Sequence, residues 1–76
     1  MEMLDKFSER LHALRKERGL SYKELAEQLN SHASDGALFR WENGYVKPRL
    51  DYVILLADFY GVSLDYIVGR SNKRKG

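Results

Sequence analysis

Two helix start signals stand close together in the first half of the chain, and together they constrain this region to short helices. Ser21 is a favourable N-cap residue, and Glu24, three residues later, completes a capping box. Ser34 supplies a second start signal, and the pair Asn43-Gly44 can adopt the left-handed conformation that ends a helix. The pattern predicts two short helices joined by a turn.

Apolar residues elsewhere recur at helical spacing, and the alternation typical of strands is absent. We therefore expect an all-α protein, a compact bundle of five helices. The predicted helices run over about 4–18, 22–29 and 35–43, from near 50 to Gly61, and from Ser63 through Val68. The first helix carries a stripe of Leu4, Phe7, Leu11 and Leu14, and the third should bury Ala37, Leu38 and Trp41.

The length and composition exclude several classes of protein. A chain of 76 residues has one modest core and little room for a catalytic cleft. It has no cysteine, two histidines on different predicted elements, no Gly-rich phosphate loop and no HExxH motif. We expect no enzyme, no metal, no cofactor and no small-molecule ligand. No apolar run approaches the roughly 18 residues that span a bilayer, so we also expect a soluble cytoplasmic protein with no membrane partner.

The charge is distributed unevenly along the chain. The net charge is +2, but residues 1–69 carry nine basic and eleven acidic side chains, a net charge of −2. The surplus of positive charge lies in the last residues, so any contact with nucleic acid by the body needs a local basic face. The sequence indicates one domain over residues 1–70, with a helix-turn-helix over about 21–44, and a basic flexible tail over 71–76.

Several segments resemble the lambda Cro/repressor-like helix-turn-helix family, also called the XRE family of regulators. They are Leu-Arg-Lys-Glu-Arg-Gly-Leu-Ser at 14–21, Leu-Ala at 25–26, Trp-Glu-Asn-Gly at 41–44, Lys-Pro at 47–48 and the stretch 56–69. Each segment is weak evidence alone, but their order and spacing extend over most of the chain. The resemblance implies a lambda repressor-like DNA-binding domain of bacterial or phage origin. It also implies a repressor that binds double-stranded DNA as a homodimer at an inverted repeat.

In this family the second helix of the motif lies in the major groove. The positions that match its base-reading residues, or lie beside them, are Asp35, Gly36, Ala37, Phe39 and Arg40. Arg40 can donate two hydrogen bonds to a guanine, or else be solvated or bound to a phosphate. Phe39 can press on a thymine methyl group, or pack against the first helix or a partner chain. Asp35 also has a structural explanation, since negative charge is favoured in the first turn of a helix.

The resemblance also implies phosphate contacts at both edges of the motif and one structural ion pair. The candidate phosphate-binding residues are Tyr22, Lys23, Ser34, Asn43, Lys47 and Arg49. For each of these residues, simple solvation is the alternative. Arg15 and Glu42 match positions that form a partly buried ion pair between the first helix and the end of the third.

Two departures from the family pattern leave a second function open. The turn around residues 30–33 is about two residues longer than usual, and Asp35, Gly36 and Phe39 are atypical in a base-reading helix. Asp35, Gly36, Phe39 and the acidic body support, as the alternative to a DNA-binding regulator, a protein-interaction module of the same fold, anti-repressor or antitoxin-like, with weak or no specific DNA binding. For a homodimer we expect a surface on the last two helices, which carry Tyr52, Tyr66, Ile67 and Val68.

Overall fold

A computed structural model describes the backbone of residues 2–75 and the side chains of residues 6–75. Within residues 2–75 the chain forms five helices and no strand. They are α1 (Glu2–Glu17), α2 (Tyr22–Gln28), α3 (Asp35–Glu42), α4 (Leu50–Tyr60) and α5 (Leu64–Ile67). The predicted all-α bundle of five helices is confirmed, with helix ends that differ from the predicted ends by one or two residues.

Serine caps determine where three of the helices begin. The Ser21 hydroxyl accepts a hydrogen bond from the Glu24 N–H at 3.0 Å, and the Glu24 carboxylate accepts one from the Ser21 N–H at 2.8 Å. This is a complete capping box. Ser34 accepts from the Ala37 N–H at 3.1 Å, and Ser63 caps α5 in the same way. Local sequence therefore fixes the start of both helices of the motif.

The long turn between α2 and α3 is closed by its own backbone. Asn30 and Ser31 have φ values of 57° and 59°, in the left-handed region that few residues other than glycine adopt. The Ser31 N–H donates to the Ala26 carbonyl at 2.9 Å, and the His32 N–H donates to the Leu29 carbonyl at 3.1 Å. Leu29 is buried before the turn and Ala33 within it, so the core holds this turn in place.

The core lies at the centre of the five helices, and each helix contributes one side chain that is almost wholly buried. These are Phe7, Leu25, Leu38, Leu56 and Ile67. Burying each side chain contributes about 1.5–3 kcal/mol. Of the predicted stripe on α1, Phe7, Leu11 and Leu14 are buried, and the side chain of Leu4 lies outside the described residues. On α3, Leu38 and Trp41 are buried and Ala37 is half-buried.

The chain beyond α5 lies against the first helix. The Arg10 guanidinium donates to the carbonyl oxygens of Tyr66 and Ser71, and that of Arg74 donates to the Glu17 carboxylate. The Ser63 N–H donates to the carbonyl of Arg74 at 2.6 Å. Residues 71–75 thus make contacts that the sequence did not lead us to expect. The flexibility of the tail stays a prediction.

Candidate nucleic-acid interface

Helix α3 has one face in the core and one face open to solvent. Leu38, Trp41 and Glu42 are buried. Phe39, Arg40 and Asn43 are exposed, and Gly36 precedes them by one turn, so these four positions share the opposite face at helical spacing. We call Gly36, Phe39, Arg40 and Asn43 the outer face of α3.

Arg40 occupies the middle of this outer face. Its guanidinium extends back along the helix, and a Cβ added at Gly36 would lie 3.5 Å from its Nη1. Among residues 6–75, Arg40 takes part in no ion pair. Its five N–H donors are therefore available to a ligand.

The two remaining base-reading candidates lie at the start of α3. Asp35 is exposed, and its carboxylate accepts a hydrogen bond from the Gly36 N–H at 2.8 Å. Asp35 thus lies in the first turn of α3, where negative charge is favoured, which agrees with a structural role for this residue. Ala37 is half-buried at the edge of the outer face, where its N–H is bonded to Ser34. Neither contact tests a role in base reading.

Four of the candidate phosphate ligands lie at the ends and flanks of the motif. Lys23 and Ser34 line one shallow depression between α2 and α3. Lys47 is exposed after α3, and Arg49 forms an ion pair with Asp51 at 3.2 Å. Both side chains of that pair are more than half exposed, so the pair is weak and a phosphate can replace the carboxylate.

The side chains of Asn43 and Tyr22 already form hydrogen bonds within the protein. The Asn43 side-chain amide donates to the Phe39 carbonyl at 2.8 Å. The Tyr22 hydroxyl donates to Glu42 Oε1 at 3.1 Å, and the Arg15 guanidinium stacks 4.1 Å above the centre of its ring. The hydroxyl proton of Tyr22 therefore points inward, so a phosphate contact by Tyr22, which stays a prediction, would have to compete with Glu42.

Arg15 and Glu42 lie in contact between α1 and the end of α3. Arg15 Nε and Nη2 donate to the two oxygens of Glu42 at 2.8 and 3.2 Å, and Arg15 Nη1 donates to the Leu20 carbonyl at 2.7 Å. Only 9% of the Arg15 side chain and 2% of the Glu42 side chain are exposed. The hydrogen bond that Arg15 donates to Glu42 raises the pKa of Arg15.

Sequence reasoning missed two further partners of the Glu42 carboxylate. They are Tyr22, described above, and His12, whose Nδ1 lies 3.1 Å from Glu42 Oε1. His12 precedes Arg15 by three residues on α1, a spacing that places both on one helix face. That spacing was the available signal for His12. For Tyr22 the sequence offered none.

Comparison with known proteins identifies the family. The model of the helix-turn-helix family matches residues 11–67, which include all five helices in part or whole. The chain belongs to this family. It is 38% identical over 63 residues to YobD of Bacillus subtilis, named as an uncharacterized HTH-type transcriptional regulator, and 35% identical over 66 residues to the HTH-type transcriptional regulator ImmR of the same organism. It is 32% identical over 62 residues to BcrR of Enterococcus faecalis, named as an HTH-type transcriptional activator.

These alignments cover 83%, 87% and 82% of this chain. They cover 54% of YobD, 50% of ImmR and 29% of BcrR. The chain thus spans about half the length of the first two of these helix-turn-helix relatives. No solved structure matches it at a significant level. The resemblance to XRE-family regulators is confirmed.

One of the four residues expected to form a partner surface on the last two helices is not available at the surface. Ile67 is 0% exposed, so the expectation that it offers free apolar area was wrong. Tyr52 packs on Trp41 with ring centres 5.1 Å apart, and Tyr66 lies under the Arg10 guanidinium. Their side chains, and that of Val68, are half-buried. Among residues 6–75, the large apolar side chains that are exposed are Phe39, Tyr45, Val46, Leu50, Ile54 and Leu64.

Across residues 2–75, none of the five helices has both the length and the apolar character that a membrane span requires. Among the side chains of residues 6–75, His, Asp and Glu form no group of three or more that could hold a metal ion.

Proposed function

We propose that this domain is the DNA-binding part of a transcriptional regulator and that α3 enters the major groove of double-stranded DNA. The observation that carries the proposal is the outer face of α3, where Arg40 is exposed and free of any ion pair within residues 6–75. Leu38, Trp41 and Glu42 hold α3 in the core from the opposite side, so the Arg40 side chain is available to a ligand.

Arg40 is the main base-reading residue in this proposal. A guanidinium matches guanine O6 and N7 with two parallel hydrogen bonds, a contact worth about 1–3 kcal/mol of discrimination against other bases. Asp35, Gly36 and Ala37 lie at the N-terminal end of the same helix, where base edges come closest in this class of motif. Asp35 would be tolerated there by accepting a hydrogen bond from cytosine N4.

Phosphate contacts flank the reading helix in this proposal. Lys23 and Ser34 lie on the α2 side, and Lys47 and Arg49 lie after α3. Cations at both ends of α3 would hold it in register on the two strands of the groove. A domain that is acidic as a whole needs such local charges, because its net charge does not attract DNA.

We further propose that the chain acts as a homodimer that represses transcription by occupying an inverted repeat, in the cytoplasm of a bacterium or from a phage gene. One domain of this size contacts few base pairs, so two copies are needed for useful specificity. Leu50 and Ile54 lie one turn apart on the same side of α4 and are both exposed. They replace Ile67 as the centre of the expected partner surface.

The dimer surface is tested by placing a charge on each of the two helices. Ile54→Lys should abolish dimers in sedimentation equilibrium on operator DNA, whereas Leu64→Lys on α5 should leave them intact. If Leu64→Lys is the disruptive change, the surface lies on α5 instead. If wild-type protein stays monomeric on DNA, the homodimer proposal is wrong.

DNA reading is tested by selecting bound duplexes from a randomised library at near-physiological salt. Wild-type protein should enrich one inverted repeat, and Arg40→Ala should fail to enrich it. Lys6→Ala is the matched control, because Lys6 is exposed and lies against Gly69, outside the motif. Failure of the folded wild type to enrich any sequence would exclude sequence-specific reading.

A second function remains open because apolar side chains extend along the same surface. Phe39, Tyr45 and Val46 are exposed in and just after α3, and such residues are typical of a surface that binds protein. The alternative is a protein-interaction module with little specific DNA binding, anti-repressor or antitoxin-like. Salt separates the two, because DNA affinity falls steeply with added salt as counterions are released, whereas an apolar protein contact hardly changes.

A further inference from the structure

Three aromatic rings form a cluster on the solvent side of the motif. The Phe39 ring meets the Tyr22 ring edge to face, with centres 5.7 Å apart and planes at 78°. The centre of the Tyr45 ring lies 6.2 Å from that of Phe39. Phe39 is nevertheless 45% exposed and Tyr45 is 72% exposed. The cluster is therefore a surface feature and does not belong to the core.

The Phe39 ring packs on Tyr22, and buried polar groups hold Tyr22 in place. Tyr22, which supports its ring, is fixed by the hydrogen bond to Glu42 and by the stacked guanidinium of Arg15. Both of those groups are buried in the ion pair that joins α1 to α3. The exposed ring thus rests on a rigid support, and its orientation is set before any ligand binds.

The neighbours of Phe39 define what its ring can recognise. Gly36, one turn earlier on the outer face, has no side chain, and Arg40 lies beside it with free donors. A phenyl ring neither donates nor accepts a conventional hydrogen bond. In the major groove the one apolar group that an unmodified base presents is the C5-methyl of thymine.

We propose that Phe39 reads the C5-methyl group of a thymine next to the base pair contacted by Arg40, and that Tyr22 is the positioning residue that orients its ring. This inference rests on the proposed DNA-binding function. It predicts that tight binding requires a pyrimidine with a 5-methyl group at one position of each half-site. A 5-methylcytosine, which carries the same group at the same place in the groove, should satisfy part of that requirement.

The test uses the duplex selected by the wild-type protein, with each thymidine of a half-site replaced in turn by deoxyuridine. This change removes one methyl group and leaves every hydrogen-bonding group in place. Affinity is measured by fluorescence anisotropy at fixed salt. Replacement at one position should weaken binding about fourfold, the factor that corresponds to the roughly 0.8 kcal/mol gained by burying one methylene-sized group. A duplex with cytosine at that position should bind the protein more weakly than a duplex with 5-methylcytosine there.

Protein variants assign the effect to the ring. Phe39→Ala should bind the thymidine and deoxyuridine duplexes equally, while it still prefers guanine at the Arg40 position. Tyr45→Ala is the matched control, an exposed neighbouring ring whose loss should leave the methyl effect intact. Tyr22→Leu should reduce the difference between the thymidine and deoxyuridine duplexes, whereas loss of a phosphate ligand would weaken binding to both duplexes equally. Circular dichroism verifies that each variant is folded.

The outcomes separate this inference from the proposed function. An enriched duplex with no deoxyuridine penalty, or a penalty that survives Phe39→Ala, refutes methyl reading by Phe39 and leaves DNA binding standing. A library from which nothing is enriched refutes both.

Discussion

Removal of the Glu42 carboxylate should destabilise this domain more than any other change of a charged side chain. Glu42 is buried, and its two oxygens take both hydrogen bonds from Arg15 Nε and Nη2. In Glu42→Leu, Arg15 would keep only its bond to the Leu20 carbonyl and would be left as a buried charge without a counter-ion. Breaking a buried pair in this way costs about 3–5 kcal/mol.

That cost is large in comparison with the stability of so small a domain. At about 0.05–0.15 kcal/mol per residue, a chain of 76 residues has about 4–11 kcal/mol in total. Because 1 kcal/mol shifts the melting temperature of such a domain by about 4–8 °C, Glu42→Leu should lower it by about 12–40 °C. The assay is thermal and urea unfolding followed by circular dichroism.

A double-mutant cycle distinguishes loss of the pair from loss of packing. The double variant Arg15→Met/Glu42→Leu removes both charges and should be more stable than either single variant, since no buried charge is left unpaired. Glu17→Leu is the matched control, because its carboxylate pairs with Arg74 at the exposed surface and its loss should hardly change the unfolding midpoint. A Glu42→Leu melt equal to the wild type, or single effects that simply add, would refute the reasoning.

Four further substitutions test other parts of the fold by the same unfolding assay. In Gly61→Ala the new Cβ meets no neighbour within 4 Å, so the loss of stability should be only the roughly 1–2 kcal/mol of a left-handed alanine. In Gly69→Ala the new Cβ lies 2.6 Å from Lys6 Cβ, so the loss of stability should be clearly larger. Equal losses in the two variants would contradict the packing described. Tyr60 has a buried hydroxyl that finds no partner among residues 6–75, so Tyr60→Phe should stabilise by about 1 kcal/mol. Burial raises the pKa of Tyr60 from 10.0 to about 12, so the wild type should lose stability from pH 10 to 12 and the variant less. Hydrogen bonds to Ser21, the N-cap residue of α2, lower the pKa of Glu24 below 4.5. The Glu24 carboxylate therefore stabilises the fold fully above pH 4.5, and this stabilisation is lost as the pH falls through the lowered pKa. The stability of Glu24→Gln should depend less on acid pH than that of the wild type.

The parts of this fold that the sequence predicted are those decided by neighbours in the chain. The caps at Ser21, Ser34 and Ser63 act within three residues of themselves, so the starts of α2, α3 and α5 could be located without a structure. The core stripe of α1 follows from helical periodicity in the same way.

What the sequence did not predict depends on groups that meet across the fold. Ile67 shares its helix with exposed residues, and only the packing of α5 against its neighbours decides that it is buried. The support of Phe39 by Tyr22 joins α2 to α3, and the contact of Arg10 with residue 71 joins α1 to the tail. Spacing along the chain carries no signal for these particular contacts.

Base discrimination at single positions tests the central claim, base reading by α3, most directly. On the selected duplex, each base pair of one half-site is replaced in turn, and the binding constants of the wild type and Arg40→Ala are compared at one salt concentration. We expect Arg40→Ala to lose about 1–3 kcal/mol of discrimination at one G·C pair and to keep the preferences at the other positions. A uniform loss of affinity, with every preference retained, would show that Arg40 binds phosphate and would contradict base reading by this helix.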